Sequence, residues 1–419
     1  MVESRGERFI NDPPFSAVEP GILARRASGN PDDWWTGYKD DILTARILRD
    51  LSAKYPEYAR VYEIGRSLQG RPILALKISD HPDRDEDEPA LFLNASHHGN
   101  EPLTIEYVLD TARYLLENSV TRRDAQALRI VNEGEVWCLP VVNPDGVSIF
   151  WNLNSSSGRK NGRDTSPPSG WNSQDGVDLN RNYPFYWNSG DPLASSSDPS
   201  NIFYRGRTPA SEPEVRAVME LARKERFILS LSFHTFATKI LIPYTVGSAV
   251  NPFPNTAAMI AVEMAELGKS HRTGKNYTAV KNLYPVDGTD QDWLQHEIGT
   301  YAFIVEGSHH SPDFRSASLS VAGMRPMVLY ALNRFFEGPT LSLQVSDVTG
   351  MPLSAEIRIL EEIQFENEKL QSDPVYGRFL RFLPREGDYT ILIKRAGLPE
   401  KTVRFSCQKG ITNLAIRLR

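Results

Sequence analysis

The sequence predicts an α/β protein, a mixed, largely parallel central sheet flanked by helices, followed by a small all-β sandwich. Three observations carry this expectation. Short apolar runs alternate with amphipathic helical stretches through most of the chain, the pattern of strands and helices in an α/β domain. Beyond "FFEGPT" the apolar period switches to two, and no convincing helix follows. The chain has 419 residues, too many for one average domain, and 40% are hydrophobic, enough for a core that needs no disulfides. The expected organisation is an irregular arm over residues 1–35, a larger domain over 36–337 and a sandwich over 340–419.

Taken in order, "MVESRGERFINDPP" has no apolar leader-like stretch, and the arm to about Trp35 is rich in Pro, Gly and charge. "YKDDILTARILRDLSAKYP" has helical spacing and a proline stop. "ARVYEIGRSLQGRPILALKIS" reads as two strands around a turn at Gln69-Gly70. "ALFLNAS" is a buried strand, and "PLTIEYVLDTARYLLENS" is an amphipathic helix with a proline near its first turn. "EVWCLPVVNPDG" is a second buried strand closing on a turn. Residues 152–201 are polar, as long irregular loops with a functional role or disorder would be. "SEPEVRAVMELARKE" predicts a helix capped by Ser211 with Glu214 completing a capping box. "FILSLSFHTFATKILIPY" and "AFIVEGS" are further strands. The sandwich strands are "TLSLQVSDV", "SAEIRIL", "RFLRFL", "YTILIKR", "KTVRFSC" and "NLAIRLR".

The net charge of −6 leaves no basic footprint, so nucleic acid is not an expected partner. No apolar run approaches the ~20 residues that span a bilayer. Cys138 and Cys407 lie far apart in strand-like runs and read as two buried free thiols.

"ASHHGNE" raises the question of chemistry. Glu101 lies three residues after His98, on one face at the start of a helix and just past a strand, where open α/β sheets carry their sites. A catalytic zinc takes three protein ligands, His₂Glu among them, so this pair asks for another histidine. A polar turn is the plain alternative. His234, near the end of an apolar strand, could be the third ligand or an ordinary core histidine. Asn180 and Arg181 in "GVDLNRNYP" suit capture of a carboxylate, or form a surface turn. Arg159, Lys160 and Arg163 could be a solvated basic loop. Glu306, a carboxylate closing a buried strand, is costly unless paired, metal-bound or catalytic. Tyr284 carries the mildest signal.

Together these segments resemble one family, the zinc metallocarboxypeptidases of the carboxypeptidase A/B and N/E type. "HGNE", "NPDG", "GRKN", "GVDLNRNYP", "YRGRTPASEPE", "SFHT", "IPY", "LYPVDGTDQDW" and "FIVEG" occur in family order. The resemblance implies a carboxypeptidase-like fold and one Zn2+ per chain held by His98, Glu101 and His234. It implies Glu306 as general base and acid and Arg159 as the group that polarises the scissile carbonyl. Asn180 and Arg181 match the pair that holds the substrate's terminal carboxylate, with Tyr284 closing over it. Thr245, Ala279, Asp290, Gln291 and Ile304 match the side-chain pocket, which favours polar or basic C-terminal residues, with Asp290 either in the pocket or turned to the surface. His97, His309 and His310 are neighbours with a possible supporting role. The final strands resemble the transthyretin-like domain of the N/E type. The implied substrates are peptide or protein C-termini, the implied state a monomer, and the implied location extracytoplasmic. A zinc amidohydrolase acting on a cell-wall stem peptide is the alternative.

Overall fold

The computed structural model describes residues 26–27, 34–153, 156–307, 312–365 and 367–419. The expected N-terminal arm falls almost wholly outside the described residues, as do His309 and His310.

A central eight-stranded sheet is built from β1 (Ala59–Arg66), β2 (Pro72–Ile78), β3 (Ala90–Ala95), β4 (Glu135–Leu139), β5 (Leu229–Thr235), β6 (Lys239–Leu241), β7 (Thr278–Val280) and β8 (Tyr301–Gly307). Its order is β1-β2-β4-β3-β5-β8-β6-β7. The four middle strands, β4, β3, β5 and β8, are parallel, while β1, β2 and β6 enter antiparallel. The sheet is therefore mixed with a parallel centre, as expected. β1 and β2 form the hairpin read at Gln69-Gly70, where Gly70 takes φ +80°.

Helices cover both faces. α1 (Asp41–Lys54), α2 (Leu103–Leu116), α3 (Ala125–Asn132), α4 (Pro144–Asn152), α5 (Pro213–Glu225), α6 (Thr256–Leu267), α7 (Asp290–Ile298) and α8 (Phe314–Glu337) follow in chain order. Strand alternation divides the core. Leu91, Leu93 and Ala95 of β3 face a cluster with α1, α2, α6 and α8, whereas Ala90 and Phe92 face one with α5 and α7.

Two local expectations are corrected. "NPDG" does not merely close β4 but opens α4, because Asn143 Oδ1 accepts from Gly146 N at 2.8 Å as N-cap. Ser211 does not cap α5. Pro213 occupies the first turn, the cap position falls to Glu212 without a side-chain cap bond, and Ser211 Oγ donates to Glu212 Oε1 at 2.7 Å.

After α8 come β9 (Thr340–Ser346), β10 (Glu356–Ile359), β11 (Arg378–Phe382), β12 (Gly387–Lys394), β13 (Lys401–Cys407) and β14 (Ile411–Arg417), matching the six expected strands. They form two three-stranded sheets, β10-β12-β13 and β11-β9-β14, around a shared apolar core. Both cysteines are buried free thiols, and burial pushes Cys138 up to about 12. Among the described residues no helix is long and apolar enough to cross a membrane.

Candidate metal centre and substrate cavity

The chain runs from β3 to β4 on one side and later enters β5 on the other, so β3 and β5 flank a topological switch point. Ligands of open α/β sheets bind outside the carboxyl ends of such strands. His98 and Glu101 follow β3, His234 is the penultimate residue of β5 and Glu306 that of β8. His234 and Glu306 are register partners on these parallel strands, so their side chains share a face.

The loop carrying His98 is held by main-chain proximity. A Cβ on Gly99 would lie 2.2 Å from the Gly146 carbonyl carbon and the Val147 nitrogen. Gly158 has φ +94°, and a Cβ there would lie 2.4 Å from Gly146 O. "HGNE", "NPDG" and "GRKN" thus meet through glycine backbones that no larger residue could bring so close. Asn143 Nδ2 adds bonds to His97 O at 3.1 Å and Arg159 O at 3.4 Å.

His98, Glu101 and His234 each offer a ligand atom, all within 4.8 Å of one another and all buried. His98 Nδ1 is 2.8 Å from Glu101 Oε1 and 3.2 Å from His234 Nδ1, while Glu101 Oε2 is 3.4 Å from His234 Nδ1. Thr235 N donates to Glu101 Oε2 at 3.0 Å. Burial would raise the Glu101 carboxyl, but the two imidazoles outweigh it and hold it well below the usual range. Two imidazoles and a carboxylate converging from three directions are a borderline-soft donor set that fits zinc.

Asp178, which the sequence reading did not single out, organises this cluster from behind. Its Oδ1 meets His98 Nε2 at 3.2 Å and accepts from Asn180 N at 3.0 Å; its Oδ2 accepts from Arg159 Nε at 3.0 Å and Nη2 at 2.8 Å. Burial opposes this charge, yet Arg159, His98 and Arg181 together hold the carboxyl well below its ordinary value. Arg159 and Lys160 are accordingly buried, not a solvated loop. The available signal was an acid one residue before the Leu-Asn-Arg turn.

A cavity of about 470 Å³ opens beside the triad. Arg159, Tyr284 and Glu306 line it with the triad, and the rest of its wall is formed by residues 235–239 with Ser270, Arg272 and Thr273. Glu306 Oε2 is buried without a hydrogen-bond partner among the described residues. Burial, then the adjacent Glu101, push the Glu306 carboxyl up to about 8 against the pull of Arg159 and Arg181. A family described as zinc carboxypeptidase matches residues 44–315.

The chain belongs to the zinc carboxypeptidase family.

Within it, a zinc carboxypeptidase of Saccharothrix mutabilis subsp. capreolus is 29% identical over 288 residues, covering 67% of this chain and 64% of that protein. The carboxypeptidase N catalytic chain of Rattus norvegicus is 34% identical over 214 residues, or 49% of this chain and 43% of its own length. The chain thus spans less than two thirds of either relative. Among solved structures, carboxypeptidase A from Helicoverpa armigera superposes with a TM-score of 0.61 at 24% identity, over 70% of this chain and 72% of that one, a likeness of fold.

The remaining zinc carboxypeptidase motif residues sit around and behind the cavity. Asn180 Nδ2 lies 3.4 Å from His234 Nε2, and its Oδ1 accepts from Asp290 N at 2.9 Å. Arg181 donates through Nε to Ala194 O and through Nη1 to its neighbour's carbonyl, leaving its buried Nη2 without a partner among the described residues. Gly288, with φ +60°, lets the Tyr284 loop approach Arg181 O, which a Cβ would meet at 2.4 Å. The Phe203 ring lies 5.1 Å from the Arg159 guanidinium and 5.4 Å from that of Arg181, with the Tyr284 ring 6.4 Å beyond.

Thr245, Gln291 and Asp290 are fully buried and do not line the open cavity. Gln291 Nε2 donates to Thr245 Oγ1 at 3.0 Å, which in turn donates to Asp292 Oδ2 at 2.9 Å. Ile304 is buried in β8, and Ala279 is half-buried in β7. Asp290 does not turn to the surface. It points inward, 4.0 Å from His97 Nε2, because its position at the first turn of α7 is roofed by the 180–183 segment. His97 touches no triad atom by hydrogen bond; its Nε2 meets Tyr183 Oη at 2.9 Å and its ring stacks on His234 with centroids 5.8 Å apart.

Proposed function

We propose that this protein is a zinc-dependent carboxypeptidase that hydrolyses the C-terminal peptide bond of peptides or proteins. The observation that carries the reading is Glu306, whose buried Oε2 has no hydrogen-bond partner among the described residues, set beside His234 and lining the cavity. His98, Glu101 and His234 would hold the metal. When bound, zinc supplies Lewis acidity, lowering the pKa of water to about 7 and polarising a carbonyl. Glu306 takes the proton from the attacking water and returns it to the leaving amine. Burial pushes its carboxyl upward, which strengthens it as the base that takes the proton. Arg159, aligned by Asp178, donates to the developing oxyanion. Asn180 and the free Nη2 of Arg181 engage the terminal carboxylate, and Tyr284 closes over it.

A terminal carboxylate requirement explains exo-cleavage, since an internal peptide bond offers no anion to Arg181. Thr245, Gln291 and Asp290, buried behind the cavity, would then back the side-chain pocket, which suits polar or basic terminal residues. Residues 36–337 act as the catalytic unit and residues 340–419 as a transthyretin-like sandwich beside it. The test is a metal-dependent release assay over a peptide library, read by mass. Loss of single C-terminal residues, abolished by a chelator and restored by zinc, is the expected result; internal cleavage or no cleavage overturns the reading.

A further inference from the structure

The cavity has a remaining wall to which the chemistry above gives no role, and the inference drawn from it rests on the carboxypeptidase reading. The triad, Arg159, Tyr284 and Glu306 account for most ionisable groups in the cavity; Lys239 and Arg272 remain. Lys239 opens β6 and is the register partner of Glu306 on one side and of Thr278 on the other. Directly opposed residues of an antiparallel pair project to the same face. Even so, no ion pair joins Lys239 to Glu306 among the described residues; Lys239 Nζ instead donates to Thr278 Oγ1 at 2.5 Å, which holds the ammonium away from the base. Arg272, in the loop between α6 and β7, is exposed and has no hydrogen bond or ion pair with any described residue. The carboxylates on the cavity wall are Glu101 and Glu306. Lys239 and Arg272 are therefore a pair of uncompensated cations on the remaining wall.

On the carboxypeptidase reading, a peptide whose terminal carboxylate meets Asn180 and Arg181, neither of which lines the cavity, would leave through the cavity past Thr235, Phe236, Lys239, Ser270 and Arg272. The side chains that pass Lys239 and Arg272 are those upstream of the scissile bond. We infer that Lys239 and Arg272 form an anion-binding wall that selects peptide C-termini carrying aspartate or glutamate upstream of the scissile bond. Each solvent-facing ion pair gives roughly a 1.4- to 5-fold gain, so two give roughly two- to 25-fold selectivity. The gain shrinks with salt, because exposed charges are screened beyond ~10 Å at 0.1 M ionic strength.

The experiment uses the zinc-loaded full chain and three peptides identical except for the two residues upstream of the scissile bond, Glu-Glu, Gln-Gln or Lys-Lys. At low salt kcat/KM should fall in that order, with the Glu:Gln ratio roughly two to 25 and lower at high salt. K239Q/R272Q should bring the ratio close to one, and K239E/R272E should invert the order, with zinc content and Tm matching wild type. Equal cleavage of all three by wild type, or an unchanged ratio in K239Q/R272Q, overturns the inference while the carboxypeptidase reading stands. Failure of wild type to release a residue from any of the three overturns both.

Discussion

Asp178 meets the Arg159 guanidinium at two nitrogens, Nε at 3.0 Å and Nη2 at 2.8 Å, both on its Oδ2. The other oxygen contacts His98 Nε2 and the Asn180 amide. One carboxylate therefore orients a proposed metal ligand, the proposed oxyanion donor and the turn that carries the proposed carboxylate-binding pair.

Asp178→Asn should weaken all three at once. Partners behind metal-bound histidines typically account for 10–100-fold of metal affinity. Zinc affinity, measured by chelator competition, should fall by about that factor, and kcat/KM should fall further because Arg159 loses its alignment. Unchanged affinity would show that His98 is oriented by other contacts.

Glu306→Gln should leave zinc stoichiometry at wild-type level and lower kcat by about 10²–10⁴-fold, the usual worth of a positioned general base. Single-turnover kinetics together with metal analysis check this. A variant of normal rate would remove Glu306 from the mechanism.

Arg181→Ala should cut kcat/KM on free-carboxylate peptides by roughly 10- to 150-fold, the range of a hydrogen bond to a charged group. Amidated peptides should be poor substrates of both proteins, so the free-to-amide ratio collapses in the variant. A ratio near one in wild type would contradict the assignment of Asn180 and Arg181.

Glu214 offers a test unconnected to catalysis. It is buried at the start of α5, accepting from Leu68 N and Asn161 Nδ2, with Asp145 and Glu212 close by. Burial raises its carboxyl to about 7, and the two neighbouring acids add to that. Between pH ~4.5 and ~7 the folded state holds a proton that the unfolded chain has released, so this group's contribution to stability falls as pH rises. The loss is on the order of 3 kcal/mol above pH 7. Glu214→Gln mimics the protonated acid. Denaturant unfolding should show the variant gaining on wild type as pH climbs through that window; parallel stability curves would mean that Glu214 stays ionised throughout.

Much of the centre was legible because its groups sit at strand ends. His98 and Glu101 are local in sequence, and His234 and Glu306 each close an apolar run. The six C-terminal strands showed through their period of two. What escaped depends on distant partners. Asp178 looks like any loop acid until Arg159 and His98 reach it, and Arg159 reads as a solvated cation until that pair buries it. Ser211 lost its capping role to tertiary contacts. Glu212 is drawn in by Asn182, whose Oδ1 accepts its amide at 3.1 Å, and by Arg163 at 2.8 Å. Asp290 was placed on a helix whose first turn is covered by a segment more than a hundred residues earlier in the chain.

The glycine contacts among the loops at Gly99, Gly146 and Gly158 bear on how this scaffold could be altered. Where Gly99 and Gly158 press on the Gly146 main chain, with the Asn143 amide bridging beside them, any larger residue must push whole segments apart. The histidine loop is locked from that side, whereas residues 235–239 with Ser270, Arg272 and Thr273 line an open cavity. Changes of substrate preference, whether by natural drift or in a mutant library, should therefore accumulate on that wall, with the glycine junction nearly immutable.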